Sequence, residues 1–260
     1  VDDCDLPRPL IVAAIRAELG SLRKDKKIPS QDEILNIIRR RLEDLALSRL
    51  QPVINGSGVV IHTNLGRAPL PVESVTVGTG HTNLEIDLAT GRRGKRAAYL
   101  EQCIAELCGA EAALVANNCA AALVLILRHF TAEKKEVVIS RGELVQIGGG
   151  FRLPDILETS DARLREVGTT NHTTINDYAK ATNKDTGLLL KVHRSNFFMD
   201  GFVGAPERRE LAQLAKTKRV PFVEDLGSGV LQPTEMWAQG HDEPTPKKVL
   251  KGGADLVCFS

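Results

Sequence analysis

The chain lacks an excess of charge of either sign: 34 Lys and Arg stand against 33 Asp and Glu in 260 residues. Whole-chain charge therefore gives no sign of a nucleic-acid or membrane partner, and charge has to be read in local patches. A paired-cysteine motif is missing too. The five cysteines, at positions 4, 103, 108, 119 and 258, are odd in number, lie mostly inside apolar patterns and form no C-x-x-C, so neither a disulfide framework nor a zinc site is suggested. No apolar run approaches the roughly 20 residues that a membrane-spanning helix needs. The opening VDDCDLPRP is acidic and proline-containing, unlike a secretory signal. Internal repeats and low-complexity tracts are absent. These absences predict a protein of the reducing cytoplasm with no membrane partner.

What the chain has is length and apolar content. At 42% hydrophobic and 26% charged, 260 residues suffice for one large domain and a smaller appendage. Residues 1–51 read as a helical segment. Leu10, Ile11, Ala14, Ile15, Leu19 and Leu22 share one face, Ile34, Leu35, Ile38, Leu42 and Leu45 share another, and Ser30 with Glu33 forms a capping-box start. Basic residues (Lys24, Lys26, Lys27 and Arg39 to Arg41) lie beside these stripes, as they do on many solvated helix faces.

From residue 52 onward the texture changes. After about residue 110, β-rich runs alternate with helical ones: AALVA, EVVIS, ARLREVG, GLLLKVH, PFVED and ADLVCFS are the candidate strands. Such alternation predicts an α/β domain with a mostly parallel sheet and flanking helices, covering residues 52–260 and preceded by the helical segment. In such sheets ligands bind at the carboxyl ends of the strands. Those positions hold Asn117, Asn118 and Cys119, then Ser140 to Glu143, then His193, Ser195 and Asn196, then Asp225, and finally Ser260. Taken singly each has a plain structural role: Asn118 as a helix cap, His193 as a core histidine, Asp225-Leu-Gly-Ser-Gly as an Asx-type turn.

Taken together they match what pyridoxal phosphate requires: an anion cradle, a carboxylate for the ring nitrogen, a donor near the phenolic oxygen and a lysine. NNCAAA opens a helix straight after a β-rich run, so Asn117, Asn118, Cys119 and Ala120 are the candidate phosphate cradle. Asp225 is the candidate carboxylate, Ser228 follows it in the turn, and His193 and Asn196 are candidates for the ring or its oxygen. The lysine is missing from the expected place. Lys191, inside a strand pattern, reads as exposed or paired rather than as a substitute.

The stretches INGSGVVIHTNLGRAPL, HTNLEIDLATGRRGKRA, GAEAALVANNCAAA, VVISRGELVQIGGGFRLPDI, EVGTTNHT, LLLKVHRSNF and VEDLGSGVL resemble the bacterial selenocysteine synthases, L-seryl-tRNA(Sec) selenium transferases of the fold-type-I pyridoxal phosphate class. The resemblance runs from about Pro52 to Ser260 and more loosely over the N-terminal helices. It implies conversion of seryl-tRNA(Sec) to selenocysteinyl-tRNA(Sec) through a cofactor-bound aminoacrylyl intermediate and selenophosphate. It also implies that Asp225 keeps the ring protonated, that Arg67 of TNLGR clamps the selenium donor, and that Ser260 is a phosphate-side serine. Arg92, Arg93 and Arg96 become candidates for anion or inter-subunit contacts, or an exposed basic turn. The N-terminal helices become part of a tRNA-binding domain. Self-association as a homodimer or larger ring is implied as well.

In that family the run matching LVCFS continues into Gly-Asp-Lys, the lysine that carries the cofactor. The chain is therefore expected to be a fragment or truncated form, inactive by itself and unable to form the cofactor's Schiff base. Other departures are NNC where the family has NNN, and a short PLPVESVTVGTGH segment. Two alternatives stay open: a dinucleotide-binding domain, weakly signalled by VTVGTGHTN without its third glycine, and a non-catalytic paralogue that binds RNA or a partner subunit.

Overall fold

The computed structural model describes residues 6–24, 28–59, 61–71, 80–147, 150, 152–235 and 243–260. Lys26, Lys27, Cys4 and most of the VTVGTGHTN motif lie outside the described residues. The chain divides into two compact units, Val1–Pro71 and Val72–Ser260.

In the first unit, α1 (Arg8–Leu22) and α2 (Gln31–Leu47) pack through their apolar stripes. The capping box forms as expected: Ser30 N–H donates to Glu33 Oε2 at 2.7 Å, and Glu33 N–H donates to Ser30 Oγ at 3.4 Å. Ile38 and Leu42 are buried against Ile11, Ala14, Ile15 and Leu19. Leu10 and Leu35, expected on these faces, are instead 49% exposed. Each neighbours a stripe residue, and one step along a helix turns a side chain by about 100°. Lys24 and Arg39 to Arg41 are exposed.

The second unit has the expected α/β fold. Its sheet runs in the order β2-β1-β3-β4-β5 with every pairing parallel: β1 (Glu136–Ser140), β2 (Arg163–Val167), β3 (Thr186–Val192), β4 (Phe222–Asp225) and β5 (Leu256–Cys258). The helices are α3 (Ala98–Cys108), α4 (Cys119–Phe130), α5 (Leu153–Thr159), α6 (Ile175–Ala181), α7 (Arg208–Lys218) and α8 (Pro246–Lys251). Side chains alternate across a strand, so a sheet covered on both faces must be apolar at consecutive positions. Val137 and Ile139 of β1, with Leu188 and Leu190 of β3, pack beneath α4 and α5 through Leu123, Leu127 and Leu157. Val138, Leu189 and Phe222 point the other way, onto Tyr178 of α6 and Leu211 and Ala215 of α7. The sheet is the middle layer of three.

One expected strand is absent. Residues 112–116, the AALVA run, form no ladder, and Leu114 is 75% exposed. A strand exists only where a neighbour takes up its backbone hydrogen bonds. Here a cavity of about 750 Å3 lies between this run and the outer edge of β5, lined by Ala112, Leu114, Leu256 and Phe259 among others. Apolar composition marked the segment as a strand, but its partner decides whether it pairs.

Candidate active site

Strand register builds the centre of the site. Asp225 ends β4 with Val192 of β3 on one side and Cys258 of β5 on the other. Paired residues in a parallel sheet share a face, and this face carries α4. Cys119, the first residue of α4, reaches down to donate its S–H to Asp225 Oδ1 at 3.2 Å. The same oxygen accepts the Gly227 N–H at 2.8 Å. Gly227 has φ 66°, and a Cβ there would stand 2.7 Å from Ser195 Oγ, so the turn that aims this N–H requires glycine. Cys119 Sγ, an Asp225 oxygen and Cys258 Sγ all lie within 4.8 Å of one another.

Burial governs the electrostatics. Asp225 is 7% exposed and Cys258 5%. Burial raises the Asp225 carboxyl above its ordinary range, opposed by the Gly227 N–H and the two thiols. The Cys258 thiol is pushed well above its usual value, first by its hydrogen bond with Cys119, then by burial and the nearby Asp225 charge.

The remaining candidates divide into two groups. Asn118 caps α4, its Oδ1 accepting the Ala121 N–H at 2.9 Å, so the helix N-terminus with Cys119 and Ala120 stands at the carboxylate. Asn117 precedes it, exposed. Ser260 is tied to the turn after β4: its N–H donates to Gly227 O at 2.9 Å and to Ser228 O at 3.3 Å. His193 donates its backbone N–H to Asp225 O at 2.8 Å, while its ring Nε2 pairs with Glu243 Oε2 at 2.8 Å. Asn196 instead binds elsewhere, Nδ2 to the Gln146 carbonyl at 2.9 Å. Arg67 belongs to the first unit, at φ 64° in a turn where its N–H donates to His62 O at 3.1 Å. Arg93 and Arg96 are both held by Glu85, at 3.1 and 2.6 Å.

The sequence places Glu143 at a strand end and Lys191 inside a strand without joining them, and the structure pairs the two. Glu143 is buried and accepts from Lys191 Nζ at 3.3 Å and from Val192 N–H at 3.0 Å. Burial raises its carboxyl, against the pull of Lys191. The available signal was Lys191 itself, a cation inside the apolar run GLLLKV that needs a counter-charge. Glu243, the partner of His193, lies in a polar loop that carried no signal.

The family model described as SelA, L-seryl-tRNA selenium transferase, matches residues 53–260. The chain belongs to this family. L-seryl-tRNA(Sec) selenium transferases from Geotalea daltonii and Carboxydothermus hydrogenoformans are 45% and 46% identical to it over 98% and 97% of its length, covering 57% and 56% of their own. One from Desulfovibrio desulfuricans is 49% identical over 82% of the chain and 45% of its own length. The chain thus spans a little over half the length of the Geotalea daltonii and Carboxydothermus hydrogenoformans transferases. A solved D-glucosaminate-6-phosphate ammonia-lyase shares the fold, with TM-score 0.54 over 76% of this chain and 51% of that one at 18% identity. The parallel sheet with flanking helices, together with the N-terminal helices, matches the fold-type-I class expected of the selenium transferase family. Among the described residues, no helix is long and apolar enough to cross a membrane.

Proposed function

We propose that this chain is the cofactor-holding part of a protein that converts seryl-tRNA(Sec) to selenocysteinyl-tRNA(Sec) with selenophosphate as selenium donor. One observation carries the reading: a buried carboxylate, Asp225, ends an inner strand and meets the N-terminus of a 12-residue helix at Cys119. A carboxylate for a ring nitrogen beside a helix terminus for a phosphate is the donor set that pyridoxal phosphate needs. When bound, that group supplies an electron sink for loss of the seryl α-proton and hydroxyl.

The residues have distinct tasks in this reading. Asp225 holds the proton at the ring nitrogen, and burial keeps water from competing for it. The α4 N-terminus, from Asn117 to Ala120, holds phosphate together with Ser228 and Ser260. His193, steadied by Glu243, and Asn196 serve the ring oxygen or ring face. Arg67 clamps the selenium donor, since a guanidinium fork suits a polyanion. A tRNA substrate makes the proposed setting cytoplasmic, and self-association as a homodimer or larger ring is part of the same proposal.

The direct test supplies a full-length protein containing this segment with seryl-tRNA(Sec) and selenophosphate. Selenocysteinyl-tRNA(Sec) is the expected product, and seryl-tRNA recovered unchanged would overturn the reading. Arg67→Ala in that protein is expected to keep elimination of water from the seryl group and to lose selenium incorporation. Separate assays of the two half-reactions decide it, and equal loss in both would mean that Arg67 is only structural.

The exposed Lys24 and Arg39 to Arg41 are proposed to contact tRNA phosphates. Each lost phosphate contact reduces the salt dependence of binding by about one unit of slope. Neutralising Arg39, Arg40 and Arg41 should therefore weaken tRNA binding and flatten its log–log salt plot. A slope equal to wild type would mark this face as merely solvated.

A further inference from the structure

We infer that Cys119, Asp225 and Cys258 form a binding site for a soft divalent cation of the zinc class. Residues 119 and 258 are far apart in the chain, and no spacing motif joins them. The fold brings them together on one carboxylate. Register places Cys258 beside Asp225, and the start of α4 lowers Cys119 onto the same face.

The geometry suits a tetrahedral ion. With Zn–S near 2.3 Å and Zn–O near 2.1 Å, the edges of the tetrahedron are about 3.8 Å between sulfurs and about 3.6 Å between sulfur and oxygen. The three donor atoms lie within 4.8 Å of one another, and the Cys119 Sγ to Asp225 Oδ1 edge is already 3.2 Å. Shifts of no more than about 1 Å bring the three donors onto these edges. Two sulfurs select zinc, cadmium or cobalt over magnesium or calcium, which prefer oxygen. The Gly227 N–H on the carboxylate is the kind of supporting contact that fixes a ligand's orientation. Cys258 also lines the cavity beside β5, which extends to exposed Leu114 and Leu125 and offers an ion a way in. Three protein ligands leave the fourth vertex to water.

Binding is balanced by protons: two thiols become thiolates, the carboxylate contributes its existing charge, and two protons pass to solvent for each ion bound. One consequence rests on the cofactor reading above. The cation and a ring nitrogen need the same carboxylate, so each excludes the other.

The test uses the 260-residue chain, reduced with a non-thiol reductant and free of oxygen, with Co2+ as the spectroscopic probe. One equivalent of Co2+ is expected to produce sulfur-to-cobalt charge-transfer absorption, with release of two protons, and Zn2+ should displace it. Cys119→Ser and Cys258→Ser should each weaken binding at least about 10-fold, the loss that even a supporting residue of a metal ligand causes. Cys103→Ser should leave it unchanged. Circular dichroism of the metal-free variants checks that they fold, and the proton count in the wild-type chain stands without them. No stoichiometric thiolate band in folded wild-type chain overturns the site, as does a band that survives in the double serine variant. Adding pyridoxal phosphate should then displace Co2+. Co-binding of the two would leave the metal site standing and overturn the assignment of Asp225 to the cofactor.

Discussion

Asp225→Ala in the full-length protein is expected to lower selenocysteinyl-tRNA formation by about 100- to 1,000-fold or more, the usual loss when a preorganised electrostatic partner of the reacting group is removed. Binding of tRNA should persist. The carboxylate is buried at a strand end and already accepts two hydrogen bonds, so it is positioned before any ligand arrives. Its effect on the fold runs the other way. Burial raises its folded pKa, so it contributes stability below the ordinary carboxylate value near 3.9 and loses that contribution as pH rises through the raised value. The cofactor-free chain carrying Asp225→Asn should therefore be at least as stable as wild type at neutral pH, with the difference closing on acidification. A variant that melts no lower yet cannot turn over separates lost chemistry from lost folding. Wild-type turnover in either variant would remove Asp225 from the proposed site.

Arg208→Ala is expected to cost about 3–5 kcal/mol of stability, the range for leaving one member of a buried ion pair alone. Arg208, the first residue of α7, meets Glu224 of β4 with two hydrogen bonds, Nε at 2.6 Å and Nη2 at 2.8 Å. Glu224 is 1% exposed with the guanidinium in place, so truncating Arg208 leaves a carboxylate on an inner strand without its two charge-assisted hydrogen bonds. A domain with a total stability of about 5–15 kcal/mol is left close to unfolding. Denaturant titration of the cofactor-free chain measures the loss directly. The paired replacement Arg208→Met with Glu224→Leu should recover most of it, because two apolar side chains remove the buried charge altogether. A single variant with the wild-type midpoint would mean that Glu224 finds another partner. Glu224 precedes Asp225, so the same pair anchors the strand end that bears the carboxylate.

Much of the α/β domain was legible because parallel strands covered on both faces must be continuously apolar. EVVIS, GLLLKV and PFVED each contain such an apolar stretch, VVI, LLL and FV, and all three are inner strands. AALVA contains one as well and is not a strand, since pairing depends on a neighbour that composition does not name. Helices α3 and α5 went unmarked in the sequence reading. The second is only seven residues long and begins with a proline in its first turn, too short for a periodic stripe. Asp225 could be read as a site residue because a carboxylate directly after PFVE has to be satisfied somehow. Asn196 was read by the same logic, and its amide Nδ2 donates to the Gln146 carbonyl.

The sequence by itself determined the three-layer plan, the polar residues at the strand ends and the family to which the motifs belong. Period and polarity are local properties, carried by residues within one turn or one strand of each other. Only the tertiary structure decided that Cys119 and Cys258 converge on Asp225, that Glu143 neutralises Lys191 inside the sheet, and that Glu243 engages His193. Those contacts join residues about 50 or more positions apart, and strand register and helix packing set them. A shift of β5 by one residue would turn Cys258 to the opposite face and dissolve the cluster without changing any local pattern.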